Sequence, residues 1–470
     1  MFTHLDDPAA PAADEEQLRA VLHRADRLAA ARSSRHRLLA GGSAAVLFGA
    51  AVLAGVLGSG GTPAGPPQGS PAPGAGTAPE AGAASAFDRV PDPVPAGTAV
   101  PTTALTGVAF AGADHGFGLA AHRGRLVLAS TSDGGAHWRA VGGRLPSAVR
   151  SASTSAGTAE LQFTSATTGY LWSGPPAGQA GKADGALWTT DDGGRSWLRF
   201  RASRMVYDVG AIGSDAWAVV GNCLTGQTTA TGCSLRLATS TDGGAVWDER
   251  GWIVPSWSGT GRQGSQVALA RATPTEAYVV AAGVGQPAGL LMSTDDGGLT
   301  WQSRTMPCAA PFDMGAQLAV SGTDDLWLVC GGQGTAGNQM KALYRSSDGG
   351  ASWRLAADST GPHGFSTPPP SAGVGYLPAQ GYVAPYTAGH RVLAVASPTT
   401  AWLFADRGQV VETTDGGATW RPVRDLEGAG LAGGAPGNLT FVSGTTGWVA
   451  EEGVGLWHTV DGVRWRRLGR

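Results

Sequence analysis

The chain has 470 residues and a near-neutral balance of 33 Lys and Arg against 36 Asp and Glu, with 42% hydrophobic residues, 74 glycines and only four cysteines. This is enough chain and enough apolar content for a large core, and the charge balance gives no basic stripe of the kind that tracks nucleic acid. Four cysteines without a CxxC or a histidine cluster exclude a zinc framework, and no cofactor or metal is expected.

Residues 1–37 are polar, and within them Leu18, Val21, Leu22, Ala25 and Leu28 recur at helical spacing, predicting a short amphipathic cytoplasmic helix. Residues 38–58 then run 21 positions without a charge, the length of a membrane-spanning helix. Arg19, Arg24, Arg27, Arg32, Arg35 and Arg37 precede this run, and no Lys or Arg follows until Arg89. The positive-inside rule therefore leaves the N-terminus in the cytoplasm and exports the rest of the chain. No small-x-small cleavage site follows the apolar run closely, which favours an uncleaved anchor over a signal peptide. Residues 59–101, rich in Pro, Gly and Ala, read as a disordered linker.

Residues 102–470 are repetitive. The box Ser/Thr-x-Asp-Gly-Gly-x-x-Trp occurs at 131–138, 190–197, 240–247, 294–301, 346–353 and 413–420, and a degraded seventh copy at 459–465 lacks one residue before its Trp. The box aspartates, Asp133, Asp192, Asp242, Asp296, Asp348, Asp415 and Asp461, lie 46 to 67 residues apart, the period of one β-propeller blade. Before each box stand an apolar run, a turn and a second run led by an aromatic: Phe117, Tyr170, Trp217, Tyr278, Trp327, Trp402 and Trp448. With the strand opened by the box Trp (Trp138, Trp197, Trp247, Trp301, Trp353, Trp420, Trp465), this predicts four strands per blade and an all-β, seven-bladed propeller. The Asp suits a turn by accepting backbone N–H bonds, the paired glycines supply positive φ, and the Trp buries a large ring. Dispersed over every blade, the aspartates are expected to be structural.

The pattern resembles the Asp-box, or BNR, repeat family, and within it most closely the photosystem II assembly-factor-like propellers. That resemblance implies a seven-bladed chaperone that binds other proteins without catalysis. Sialidases and some glucan-cleaving hydrolases share the box, so a sialidase-like cell-surface glycoside hydrolase is the alternative. Against it, the family's Arg-Ile-Pro signature precedes the first box, whereas the nearest match here, Arg144-Leu145-Pro146, follows it.

The separation from the end of the first strand to the second-strand aromatic is seven residues, as from Phe110 to Phe117 and from Phe441 to Trp448. The turn between strands three and four is the box itself, and because strands alternate in direction, these two constant turns share one face. The other connections vary: 13 to 25 residues from aromatic to box Asp, and 13 to 42 from box Trp to the end of the next first strand. Binding is expected on that variable face. Cys223 with Cys233, and Cys308 with Cys330, are expected to form two disulfides there, as in an exported domain.

The richest connection spans 356–390 and carries His363, Phe365, Tyr376, Tyr382, Tyr386 and His390, residues suited to a contact surface. Its removal is expected to leave stability nearly intact. A second candidate contains Trp252, Trp257 and Arg262. On the variable face, Asp184, Glu249, Asp313, Asp358, Asp406, Glu451 and Glu452 show no pairing suited to a glycosidase and read as solvated. Asp114, Asp215, Glu276 and Asp325 recur in the first turns of their blades and read as turn-formers. No catalytic residue is assigned. The expected partner is a protein or a cell-envelope polysaccharide.

Overall fold

A computed structural model describes residues 94–469, apart from 123–124, 147–148, 150–158, 174–185, 203, 223–232, 258–264, 284–288, 336–337, 360–374, 379–382, 384–391, 406–409, 424–425 and 427–437. The expected anchor at 38–58 and its flanks lie outside the described residues. Among the described residues no helix is long and apolar enough to cross a membrane.

The described residues form seven sheets, each built on four antiparallel strands in sequence order, with a fifth strand added in blades 1 and 5. Blade 1 comprises Leu105–Phe110, Gly116–His122, Arg125–Thr131 and Trp138–Ala140. Blade 2 comprises Ala159–Phe163, Gly169–Ser173, Ala186–Thr190 and Leu198–Phe200, and blade 3 Met205–Ile212, Asp215–Gly221, Cys233–Ser240 and Asp248–Trp257. Blades 4 to 7 open with Ser265–Arg271, Gly315–Val320, Leu393–Val395 and Asn438–Phe441, and blade 7 ends with Arg466–Leu468. The first strands of successive blades touch in chain order, and that of blade 7 returns to that of blade 1, so the sheets close into a ring. The class is a seven-bladed β-propeller.

Ring closure uses two devices. Ala99–Val100 adds a fifth, antiparallel strand to the outer edge of blade 1, pairing with Trp138 and Arg139. A two-residue strand carries no periodic signal, so the sequence leaves two closures open, an added outer strand from within 87–101 or direct packing of blades 1 and 7. The following turn, Thr102–Ala104, then touches blade 7: the Thr102 hydroxyl donates to the carbonyl of Leu468 (3.3 Å), and the N–H of Gly453 donates to the carbonyl of Thr103 (2.8 Å). Blades 1 and 7 also share one apolar cluster, with Phe110, Val127 and Trp138 packed against Trp448, Leu456 and Leu468.

Candidate functional site

Each box is a closed hydrogen-bonded turn. In blade 2 the hydroxyl of Thr190 donates to Asp192 Oδ1 (2.8 Å) and accepts from the N–H of Gly194 (2.8 Å). The N–H of Ser196 donates to the same Oδ1 (2.9 Å), and the Ser196 hydroxyl to Oδ2 (2.6 Å). Blades 4, 5 and 6 repeat this with Thr300, Ser352 and Thr419. Blade 1 substitutes His137, whose Nδ1 lies 2.7 Å from Asp133 Oδ2, and blade 7 substitutes the Arg464 guanidinium on Asp461 (2.9 Å). Asp242 keeps its Oδ1 bonds to Ser240 and to the N–H of Val246, whose side chain offers no donor.

These bonds set the acidity of the carboxyls. Slight burial pushes Asp133 and Asp192 up, but donors from His137 and Thr131, and from Ser196 and Thr190, outweigh it and hold both at about 2. The Ser352 hydroxyl and N–H hold Asp348 at about 2, and the Arg464 and Val463 N–H groups lower Asp461.

The boxes also join neighbouring elements. In six blades the first box glycine donates its N–H to a carbonyl of that blade's first turn, as Gly134 to Asp114 (3.0 Å) and Gly416 to Thr399 (2.9 Å). The constant turns thus occupy one face. The second glycine, with φ of +84° at Gly194 and +93° at Gly244, lies against the preceding blade: a Cβ at Gly194 would overlap Leu128, and one at Gly244 would overlap Thr189. Glycine is required there for conformation and for space.

The second-strand aromatics form the seams between blades, a role the repeat hid by presenting each blade alone. Phe117 stacks on Phe163 of the next blade (centroids 3.6 Å apart), Trp402 on Phe441 (4.1 Å) and Trp448 on Phe110 (3.5 Å). Trp448 Nε1 also donates to the carbonyl of Gly134 (2.9 Å). Between blades 3 and 4 a guanidinium replaces the ring: Arg271, 4.4 Å from the Trp217 centroid, is bound to Asp215 Oδ1 (3.1 Å). Asp215 is therefore an inter-blade anchor as well as a turn residue. Asp325 similarly reaches Arg345 (3.7 Å), which stacks on Trp327 and donates to Gly416 of blade 6. The inner strands are tied by Gln162 to Ala211, Asp208 to the N–H of Leu269 (2.7 Å) and Gln317 to the N–H of Val392 (3.1 Å). These polar residues stand at no fixed offset, so the repeat did not reveal them.

The box Trp residues bury unequally. Trp138 and Trp465 are buried, and the remaining five are partly buried. Trp247 meets Tyr170 of blade 2 edge-on and stacks on Phe200, so it too seals a seam.

On the variable face, Cys308 and Cys330 form a disulfide that ties the connection entering blade 5 to that blade's second strand. Cys223 lies outside the described residues, as do His363, Phe365, Tyr382, Tyr386, His390, Arg262, Asp184 and Asp406. Where 356–390 is described, it is built into the fold, and this corrects the expectation that it is a dispensable loop. Ala356 and Ala357 belong to the fourth strand of blade 5, Arg354–Asp358. Gly375–Tyr376 pairs with that strand in parallel as a fifth, so Tyr376 stands in a sheet. Leu377 and Val383 are fully buried in the cluster shared by blades 5 and 6. The fully buried Lys341 reaches the carbonyl of Pro378 (3.1 Å), and Gln339 Oε1 accepts from the N–H of Val383 (2.6 Å). Burial pushes the Lys341 ammonium down to about 7.

The second candidate is likewise a strand. Trp252 and Trp257 both lie on Asp248–Trp257, because the outer strand of blade 3 runs on for ten residues where blades 1, 2 and 4 have three. Trp257 packs on the core cluster, while Trp252 is 39% exposed with Arg236 4.2 Å and Arg204 5.2 Å from its ring. Two of the acids read as solvated are otherwise: Glu451 is buried, and Glu249 lies 3.5 Å from Arg236.

A groove of about 490 Å³ opens on the box face between blades 1 and 2, lined by His115, Ser132, His137, Arg139 and Arg195 among others. Sequence reasoning placed no site there, since four of these five residues stand in or beside boxes taken as scaffold.

No family model matches the chain, and no curated protein matches it in sequence. Solved structures do match. A structure of YCF48 bound to D1 peptide is 17% identical, with 79% of this chain and 97% of that chain covered and a TM-score of 0.46. YCF48 from Cyanidioschyzon merolae is 15% identical over 79% and 98%, TM-score 0.42. The GH74 xyloglucanase from Xanthomonas campestris is 14% identical over 78% and 73%, TM-score 0.28. The seven-bladed ring itself stands on the strand order and on the blade-to-blade contacts.

Proposed function

We propose that the chain is a single-pass membrane protein with an exported Asp-box propeller of the photosystem II assembly-factor-like type. The propeller acts as a non-catalytic binding or assembly module for a protein or a cell-envelope glycan. One observation carries this reading: in every blade the box carboxylate is turned back into its own turn, bonded to its own Thr or Ser and to the following N–H groups. The repeated acids are spent on the scaffold. What differs between blades is the set of connections on the other face, one of them braced by Cys308–Cys330. A braced loop loses less entropy on binding.

The arginine-rich flank before residues 38–58 supports export. The test is crosslinked capture from the native envelope with the full-length chain. A partner held by the wild type and lost in the Tyr382→Ala/Tyr386→Ala variant supports the reading. Equal capture by both would move the site elsewhere, and release of sugars from purified envelope glycan by the wild type would replace the binder with a hydrolase.

A further inference from the structure

The groove between blades 1 and 2 goes beyond that reading, because it lies on the box face. Its cationic groups come from both walls. Arg139 donates to the carbonyl of Gly97 (3.1 Å), and Arg195 to the carbonyl of Asp192 (2.7 Å). Each guanidinium is thus positioned by a neutral backbone group, with further N–H donors left over. The carboxylate at the groove, Asp133, already accepts from the Thr131 hydroxyl (2.8 Å), the His137 N–H (2.9 Å) and His137 Nδ1 (2.7 Å). Its charge is directed into the box. Because Nδ1 faces that carboxylate, His137 presents Nε2 outward, where it accepts from or donates to a hydroxyl according to protonation.

From these contacts we infer that the groove binds an acidic saccharide, a uronic-acid-type sugar whose carboxylate meets Arg139 and Arg195. Planar guanidinium forks match a carboxylate geometrically. Ser130 and Ser132, with Nε2 of His137, supply partners for ring hydroxyls. The volume falls within the ~300–1,000 Å³ of small-molecule pockets. An extended peptide fits less well. The strand edge beside the groove, Trp138–Ala140, is already paired with Ala99–Val100, so no main-chain ladder is open for β-addition.

The test is calorimetric titration of the full-length chain with trigalacturonate, its neutral methyl ester and hexaglutamate. Saturable binding of trigalacturonate is expected, with the ester weaker by at least roughly tenfold. Arg139→Gln/Arg195→Gln should lose the same factor, and Ala166→Trp, which fills the exposed blade-2 wall, should lose binding without removing a charge. An unchanged melting temperature shows that each variant is folded. Absence of saturable binding, unchanged affinity in both variants, or tighter binding of hexaglutamate overturns the assignment. Loss here with partner capture intact on the variable face separates this site from the proposed one.

Discussion

At the scale of the residue, the box is an acid-sensitive clasp. Asp133, Asp192 and Asp348 are held at about 2, well below the ordinary carboxylate value. A carboxyl depressed in the folded state stabilises above its unfolded value, and that contribution disappears as pH falls toward the folded one. Thermal stability should therefore be flat in its box contribution above about pH 5 and fall between about pH 4 and pH 2. A melting temperature unchanged from pH 6 to pH 2 would contradict the clasp. Lys341 has the opposite sign. Burial holds its ammonium near 7, so the folded state binds fewer protons than the unfolded chain up to the ordinary lysine value, and stability should rise with pH across that window. Lys341→Met should flatten the slope between pH 7 and pH 10, and an unaltered slope would show that this group does not set it.

At the scale of the element, the seams decide stability. Trp448 is fully buried, stacks on Phe110 and donates to Gly134, so it holds blade 7 to blade 1. Trp448→Ala should cost about 3–5 kcal/mol in denaturant unfolding. Trp252→Ala, on an exposed strand, should cost much less, and similar losses would remove the distinction. Leu377→Ala tests the cluster shared by blades 5 and 6 and should cost about 2–5 kcal/mol. The sequence made the blades legible because turn chemistry and strand alternation are local. Apolar run and aromatic recur at a fixed offset, the box recurs as one motif, and every one of them found its place in a blade. The seams were not legible. That Phe117 stacks on Phe163 depends on which residues face each other across two sheets, and Arg271 replaces a ring by means no offset reveals. Leu377 and Val383 were not legible for the same reason: they are isolated apolar residues in a stretch rich in proline and glycine, and only their burial shows that they are core. The groove went unread because His137 occupies the place of Ser or Thr in other boxes and adds a ring nitrogen without altering the turn.

At the scale of the molecule, the ring separates a face fixed by hydrogen bonds from a face free to vary. The export half of the account predicts that protease added to intact cells removes the propeller, and protection would reverse the topology. The binding half is tested most directly by photo-crosslinking in the native envelope, with a crosslinking amino acid at Ala309 or Glu452 on the variable face and at Leu299 or Val463 in boxes. Ala309 adjoins the disulfide, while Leu299 and Val463 are exposed on the box face away from the groove. The account predicts a discrete partner adduct from the variable-face positions and none from the boxes. Adducts from Leu299 and Val463 alone would show that the constant face is the one that binds.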